Sequence, residues 1–180
     1  HRPADPTLRA TTLTGYRVAL AFLLSYTPLR DLGLRYLERA TQHSLPSGPL
    51  AVDLLRVTAM VNLNSGRLQQ ALAAAEQAVA QARRIDDDLA LLRSLLPLQL
   101  ALSAGERTAQ TLAVSQEIES LALRTQNPHF VALALLGQGV VWLRYGDFAR
   151  SEQTLHRALA SLPVEMGPVP ESVAQGLLAS

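Results

Sequence analysis

The sequence predicts an all-α protein, a solenoid of antiparallel helix pairs, on three observations. First, 48% of the residues are hydrophobic, mostly Ala and Leu, while aromatics make up 4%. Ala and Leu are strong helix formers, whereas Ile, which favours strands, occurs only at positions 85 and 118. Second, the chain bends at four comparable points, Thr27, Gly66, Gly105 and Gly146, with spacings of 39, 39 and 41 residues. Third, small residues recur where two helices of a pair must touch: Ala59, Ala71, Ala75 and Ala78 around the second bend, and Gly139, Ser151 and Ala158 around the fourth. A hairpin of this size cannot bury its apolar face alone, so about eight helices in four stacked pairs are expected.

The elements follow in order. Residues 1–5 are a polar lead-in. Helix one covers 12–25 and turns at Tyr26-Thr27-Pro28; Pro28 sits in the first turn of helix two, where its missing N–H costs nothing, and the first repeat spans 12–44. Leu45-Pro46-Ser47-Gly48-Pro49 is a break. The second repeat, 51–85, turns at Ser65-Gly66-Arg67-Leu68. Asp86-Asp87-Asp88 opens the next helix, its carboxylates meeting orphan N–H groups and the helix dipole; the run lacks the Gly and the distal Glu of a calcium loop. The third repeat, 89–125, pairs helices at 89–103 and 108–125 about Ala104-Gly105-Glu106. Pro97 lies inside its first helix, opposing the carbonyl of Arg93, and reads as a tolerated kink rather than one that shapes a pocket. Asn127-Pro128 caps the seventh helix as the aspartates cap the fifth. The fourth repeat, 129–163, turns at Tyr145-Gly146-Asp147-Phe148, with Leu135, Trp142 and Leu155 filling the space between its helices. Pro163, Gly167, Pro168 and Pro170 end it. Residues 171–179 form a partial repeat or cap whose Val173, Ala174, Leu177 and Leu178 make one apolar stripe; with few charges to solvate it, a second copy of the chain is expected to cover that end, giving a homodimer.

Composition removes several functions. A net charge of +1 argues against a nucleic-acid or membrane-surface role. All sixteen basic residues are Arg, scattered along the chain. Without Lys there is no Walker A loop, and Gly137-Gln138-Gly139 is followed by Trp142 where a dinucleotide fingerprint needs Gly. No G-x-S-x-G, H-E-x-x-H or C-x-x-C is present. His1, His43, His129 and His156 are far apart in sequence, and no carboxylate pair is spaced for acid–base work. A non-enzyme with no cofactor and no metal is expected. Cysteine is absent, so no disulfide framework exists. The longest apolar run, residues 18–24, falls well short of the about 20 residues that cross a bilayer, and its polar lead-in is unlike a secretory signal. A cytoplasmic protein is expected, and a start at His1 suggests a piece of a longer one.

Residues 132–163 resemble a tetratricopeptide repeat, W-x2-L-G-x2-Y followed by A-x3-F, A and P. Gly139, Ala158 and Pro163 fall in their slots; Leu135, Gln138, Trp142, Ser151 and Leu155 replace Trp, Leu, Tyr, Ala and Phe. The period is longer than the family's about 34 and near the about 40–47 of HEAT and armadillo repeats. The resemblance implies a right-handed α-solenoid whose first helices line a concave groove. Its groove-facing positions carry over to Thr14, Arg17, Ala21, Leu24 and Ser25; to Asp53, Arg56, Met60, Leu63 and Asn64; to Leu92, Leu95, Gln99, Leu102 and Ser103; and to Leu133, Leu136, Val140, Leu143 and Arg144. The candidate binding residues are therefore Arg17, Arg56, Met60, Asn64, Gln99, Leu136, Val140 and Arg144. Such a groove, apolar with a few polar groups, suits a protein or peptide helix or a small, mostly apolar inducer; the alternative is that these leucines are core. It does not suit the acidic tails bound by co-chaperone repeats, whose clamp uses Lys.

The period, the richness in Leu, Ala and Arg and the turn Gly146-Asp147-Phe148-Ala149-Arg150-Ser151-Glu152 resemble the helical-repeat sensor domains of large bacterial transcription activators of the MalT and LuxR-like class. That resemblance implies a regulatory sensor or interaction module placed between an ATPase and a DNA-binding module. The alternative is a free-standing adaptor that scaffolds a protein complex.

Overall fold

The computed structural model describes residues 6–27, 29–41 and 48–162. Among them are eight α-helices and no strand: α1 (Pro6–Ser25), α2 (Arg30–Thr41), α3 (Pro49–Asn64), α4 (Leu68–Arg84), α5 (Asp88–Ala104), α6 (Thr108–Arg124), α7 (Pro128–Arg144) and α8 (Phe148–Ala160). Helix α1 begins at Pro6, ahead of the expected residue 12, consistent with the preference of Pro for a first turn. The expected lead-in at residues 1–5, Pro28, residues 42–47 and everything after Leu162, including the partial repeat at 171–179 and the contact proposed through it, lie outside the described residues; of the expected break Leu45–Pro49, Gly48 caps α3 and Pro49 opens it.

The turns explain why consecutive helices double back. At the ends of α3, α5, α6 and α7 the N–H of Arg67, Arg107, Asn127 and Asp147 donates to the carbonyl five residues earlier, at 2.8, 2.9, 2.8 and 3.0 Å, and the residue before each donor bonds back three residues. This is the Schellman closure, which satisfies the orphan carbonyls of a helix end through one left-handed residue. The donor is at once the N-cap of the next helix, so the chain reverses within three residues. The left-handed residues are Gly66, Asp86, Glu106, Gln126 and Gly146, one every 20 positions. The repeat is therefore 40 residues, and the equivalent points are 66, 106 and 146. The expected pivot Gly105 is displaced by one residue.

Non-glycine residues at positive φ are strained by their Cβ. Gln126 (φ 53°) is exposed and offers its side chain no role in the turn. Gln126→Gly is expected to stabilise the protein by about 1 kcal/mol, read as a higher denaturation midpoint; a lower midpoint would mean that the residue is not left-handed.

Capping follows sequence only in part. Asp87 accepts the N–H of Ala90 at 2.9 Å and Asp147 that of Arg150 at 3.1 Å, each an N-cap carboxylate. Asn127, expected to act likewise, makes no side-chain cap bond; Pro128 behind it already removes one donor that a cap would serve. Helix α5 runs through Pro97.

The chain divides into two compact units, His1–Pro97 and Leu98–Ser180. In the first, α1 packs on α2 and α3, α2 on α3, and α3 on α4. Its core joins Val18 and Ala21 of α1, Leu34, Leu37 and Ala40 of α2, and Leu54, Val57 and Val61 of α3. The small slots Ala59, Ala71, Ala75 and Ala78 are fully buried. In the second unit α6 packs on α7 and α7 on α8. There Ser151 donates to the Gly139 carbonyl at 2.9 Å, and a Cβ on Gly139 would lie 2.6 Å from Leu155, so the glycine is what admits the leucine. One repeat earlier the sizes are exchanged. Gln99 stands where Gly139 does, and Ser115 where Leu155 does; the Gln99 amide donates to the Ser115 hydroxyl at 2.7 Å and to the Ala134 carbonyl at 3.3 Å. A large residue on one helix faces a small one on its mate in both pairs, which keeps each interface filled.

Candidate first-helix binding face

The 40-residue spacing sets the register of the face. Counting from Gly66 and Gly146, it leaves the expected sets of α3 and α7 in place. Asp53, Arg56, Met60, Leu63 and Asn64 are all half-buried, as are Leu133, Leu136, Val140 and Leu143, with Arg144 exposed. Counting from Glu106 moves the α5 set by one residue, to Arg93, Leu96, Leu100, Ser103 and Ala104. The expected α5 set is largely core: Leu92, Leu95, Gln99 and Leu102 are buried. Gln99 in particular is 2% exposed and committed to Ser115 and Ala134. It is a packing residue and not part of an open wall. Leu100, beside it in sequence, is 46% exposed.

The same displacement holds in α1. Forty residues before the α3 set stand Leu13, Tyr16, Leu20, Leu23 and Leu24, and the first four are exposed, Tyr16 to 74%. Of the residues expected there, Ala21 is in the core, and Arg17 is half-buried with its guanidinium donating to the Arg39 carbonyl at 3.3 Å. That carbonyl belongs to the last turn of α2, where a cation complements the helix dipole; Arg17 joins α1 to α2. Leu13, Tyr16, Leu20 and Leu23 on α1, and Arg93, Leu96, Leu100 and Ala104 on α5, are the face residues that sequence reasoning missed. Strict periodicity from Gly66 and Gly146 would have found them, had it been preferred to the glycine at 105.

In the first unit the face thus combines an apolar stripe on α1 with α3, on which it packs. Arg56 and Asp53, one turn apart on α3, form an ion pair at 3.2 Å, so their charges are mutually satisfied beside the half-buried Met60. In the second unit the face runs along residues 98–104 of α5 and along α7. Arg144 closes its turn end by donating to the Ser103 carbonyl. Next to it Trp142 and Tyr145 approach at 6.4 Å between ring centroids, and Arg150 lies 4.5 Å over the Trp142 ring while pairing with Asp147 at 3.5 Å. Elsewhere in this unit Glu119 accepts from Gln138 at 3.0 Å and Arg157 at 2.9 Å, tying α6 to α7 and α8. Among the described residues no three His, Cys, Asp or Glu side chains converge as a metal site, and no helix is long and apolar enough to cross a membrane.

What these faces offer is an apolar helical surface with a few guanidinium groups, Arg56 paired with Asp53 and Arg144 bonded to the Ser103 carbonyl. Solved structures contain a chain of this architecture. The protein is similar in fold to BtubC (BKLC) from P. vanneervenii. The likeness has a TM-score of 0.78 at 18% sequence identity and covers 96% of this chain and 73% of that one. No family model matches the chain, and no curated protein matches it. At this identity the likeness to BtubC is one of fold, in agreement with the 40-residue helical repeat.

Proposed function

We propose that the chain is a non-catalytic binding module whose first-helix face receives an amphipathic helix of a partner protein, and that it is the sensor or interaction module of a bacterial, cytoplasmic transcription regulator. The observation that carries the binding reading is the row of exposed apolar side chains at recurring face positions: Leu13, Tyr16, Leu20 and Leu23 on α1. Their spacing, i, i+3, i+7 and i+10, is the stripe that a second helix packs along. Such residues gain nothing by facing water, and apolar patches of this kind mark interaction surfaces. The regulatory role is supported by the resemblance of repeat length and turn sequence to the MalT and LuxR-like sensor domains; an ATPase loop encoded upstream and a helix-turn-helix downstream would mark that class, and their absence a free-standing adaptor.

A photo-crosslinking amino acid at Leu20 or Leu23 is expected to capture the partner in the native host, and the same group at Glu76 on α4 is not. The double variant Leu20→Glu/Leu23→Glu should weaken binding at least about ten-fold with an unchanged helical circular dichroism spectrum, because both side chains are already exposed. Crosslinks confined to the second helices of the pairs would place the binding surface there instead.

A further inference from the structure

The turns that close α5 and α7 border an open cleft of about 460 Å³ lined by Glu106, Thr108, Arg144 and Tyr145. Its size falls in the range of small-molecule sites, about 300–1,000 Å³. Two features set it apart from an ordinary interhelical groove.

The first is its charge. Glu106 and Arg144 line the same cleft, yet the structure records no ion pair between them, and the Glu106 carboxylate makes no hydrogen bond among the described residues. Arg144 donates to the Ser103 carbonyl. That bond takes one of the five N–H donors of a guanidinium and anchors the group to the last turn of α5, where it caps a carbonyl. A planar fork held in this way is suited to accepting a carboxylate through two parallel bonds. The second is the conformation of Glu106. At the equivalent turns the left-handed position is glycine, at 66 and 146; here a glutamate occupies it (φ 57°) although Gly105 is its immediate neighbour. A strained backbone that brings a carboxylate to a cleft is a pointer to function.

We propose that this cleft binds a small zwitterion of the α-amino-acid class. Its carboxylate pairs with Arg144, its ammonium with Glu106, and its side chain lies against the ring of Tyr145, which is 64% exposed. An anion alone would be repelled by Glu106 and a cation alone by Arg144; a molecule carrying both charges a few ångströms apart satisfies both. The Thr108 hydroxyl, at the first position of α6, supplies a further polar contact. The proposal rests on the reading of the first-helix face as the binding face, since Arg144 is its last position in α7, and it assigns the second unit a small-molecule ligand in addition to a helical partner.

The test is an amide ¹H–¹⁵N NMR titration of this chain with each of the twenty L-amino acids, to about 10 mM. At least one is expected to give saturating shifts at residues 106–108 and 144–146. The N-acetyl and the carboxamide derivatives of that amino acid should each bind at least about ten-fold more weakly, because each removes one charge. Glu106→Gln should abolish the penalty of N-acetylation, and Arg144→Gln that of amidation. The derivative series needs no variant, so it decides the matter even if loss of the Ser103 bond disturbs the fold. Absence of saturating shifts, shifts confined to other residues, or equal binding of the derivatives would overturn the proposal. Such a failure stays distinct from failure of the partner-binding reading, which is tested at Leu20 and Leu23 on the first unit.

Discussion

Replacing Leu155 by Ala is expected to cost about 3 kcal/mol, within the about 2–5 kcal/mol typical of a buried Leu→Ala change. Leu155 is 1% exposed and packs against the backbone of α7 at Gly139. Because the surroundings relax only partly, the truncation leaves a cavity between α7 and α8. The sharper result concerns Gly139. Placing a methyl group there puts it 2.6 Å from Leu155, so Gly139→Ala should destabilise the native chain by about 1–3 kcal/mol through overpacking. In the Leu155→Ala background the opposing side chain is gone. The same substitution should then stabilise, by up to about 1 kcal/mol, since Ala is the better helix former. The change of sign is a coupling that only direct contact produces. Urea denaturation followed through Trp142, the single Trp of the chain, reads the second unit. An effect of Gly139→Ala with the same sign in both backgrounds would show that the two residues do not face each other.

Gly137→Ala is expected to destabilise by about 2 kcal/mol, although helix propensity alone favours the change by about 1 kcal/mol. A Cβ on Gly137 overlaps the carboxamide of Gln99. That carboxamide is buried and holds the Ser115 hydroxyl and the Ala134 carbonyl. Displacing it strands the buried Gln99 amide, at about 1–3 kcal/mol for a group left unpaired, although Ser115 keeps its own bond to the Thr111 carbonyl, and propensity loses to that penalty together with the overlap. Gln99→Ala should itself cost about 2–4 kcal/mol, from the cavity and the lost hydrogen bonds. Once Gln99 is shortened, Gly137→Ala should become neutral or stabilising, because the new methyl group enters the vacated space. If Gly137→Ala is harmless with Gln99 present, Gln99 does not lie against α7.

Most of the secondary structure was legible because it depends on neighbours a few residues away. The Ala and Leu periodicity placed the helices. Gly66 and Gly146 marked their turns, since a left-handed helix end selects residues without a Cβ. Asp87 caps as expected because an N-cap carboxylate needs only the N–H three residues on; Asp147 does the same at α8. The small residues Ala59, Ala71, Ala75, Ala78, Gly139, Ser151 and Ala158 read correctly as buried positions, because small residues recurring at helical spacing mark the side on which another helix approaches.

The register of the first-helix face was only half legible. For α3 and α7 the glycine that ends the helix is also the left-handed residue, so register could be counted from it. For α5 the glycine at 105 and the left-handed residue at 106 differ. Local preference pointed to Gly105, whereas the 40-residue geometry of the repeat places the strained residue at Glu106. That shift of one position exchanged Gln99, a core residue, for Leu100, an exposed one. Gln99 illustrates the general limit. A glutamine amid leucines looks like a polar group on a binding wall until its partners are known, and those partners lie 16 and 35 residues away on α6 and α7. By itself the sequence determined that the chain is a helical repeat, roughly where its helices lie, and which residues are small enough to pack. Which side of α1 and α5 faces outward, and whether a polar side chain is satisfied inside or offered to a ligand, was decided only by tertiary structure, because burial and hydrogen-bond partnership are properties of helices brought together from distant parts of the chain.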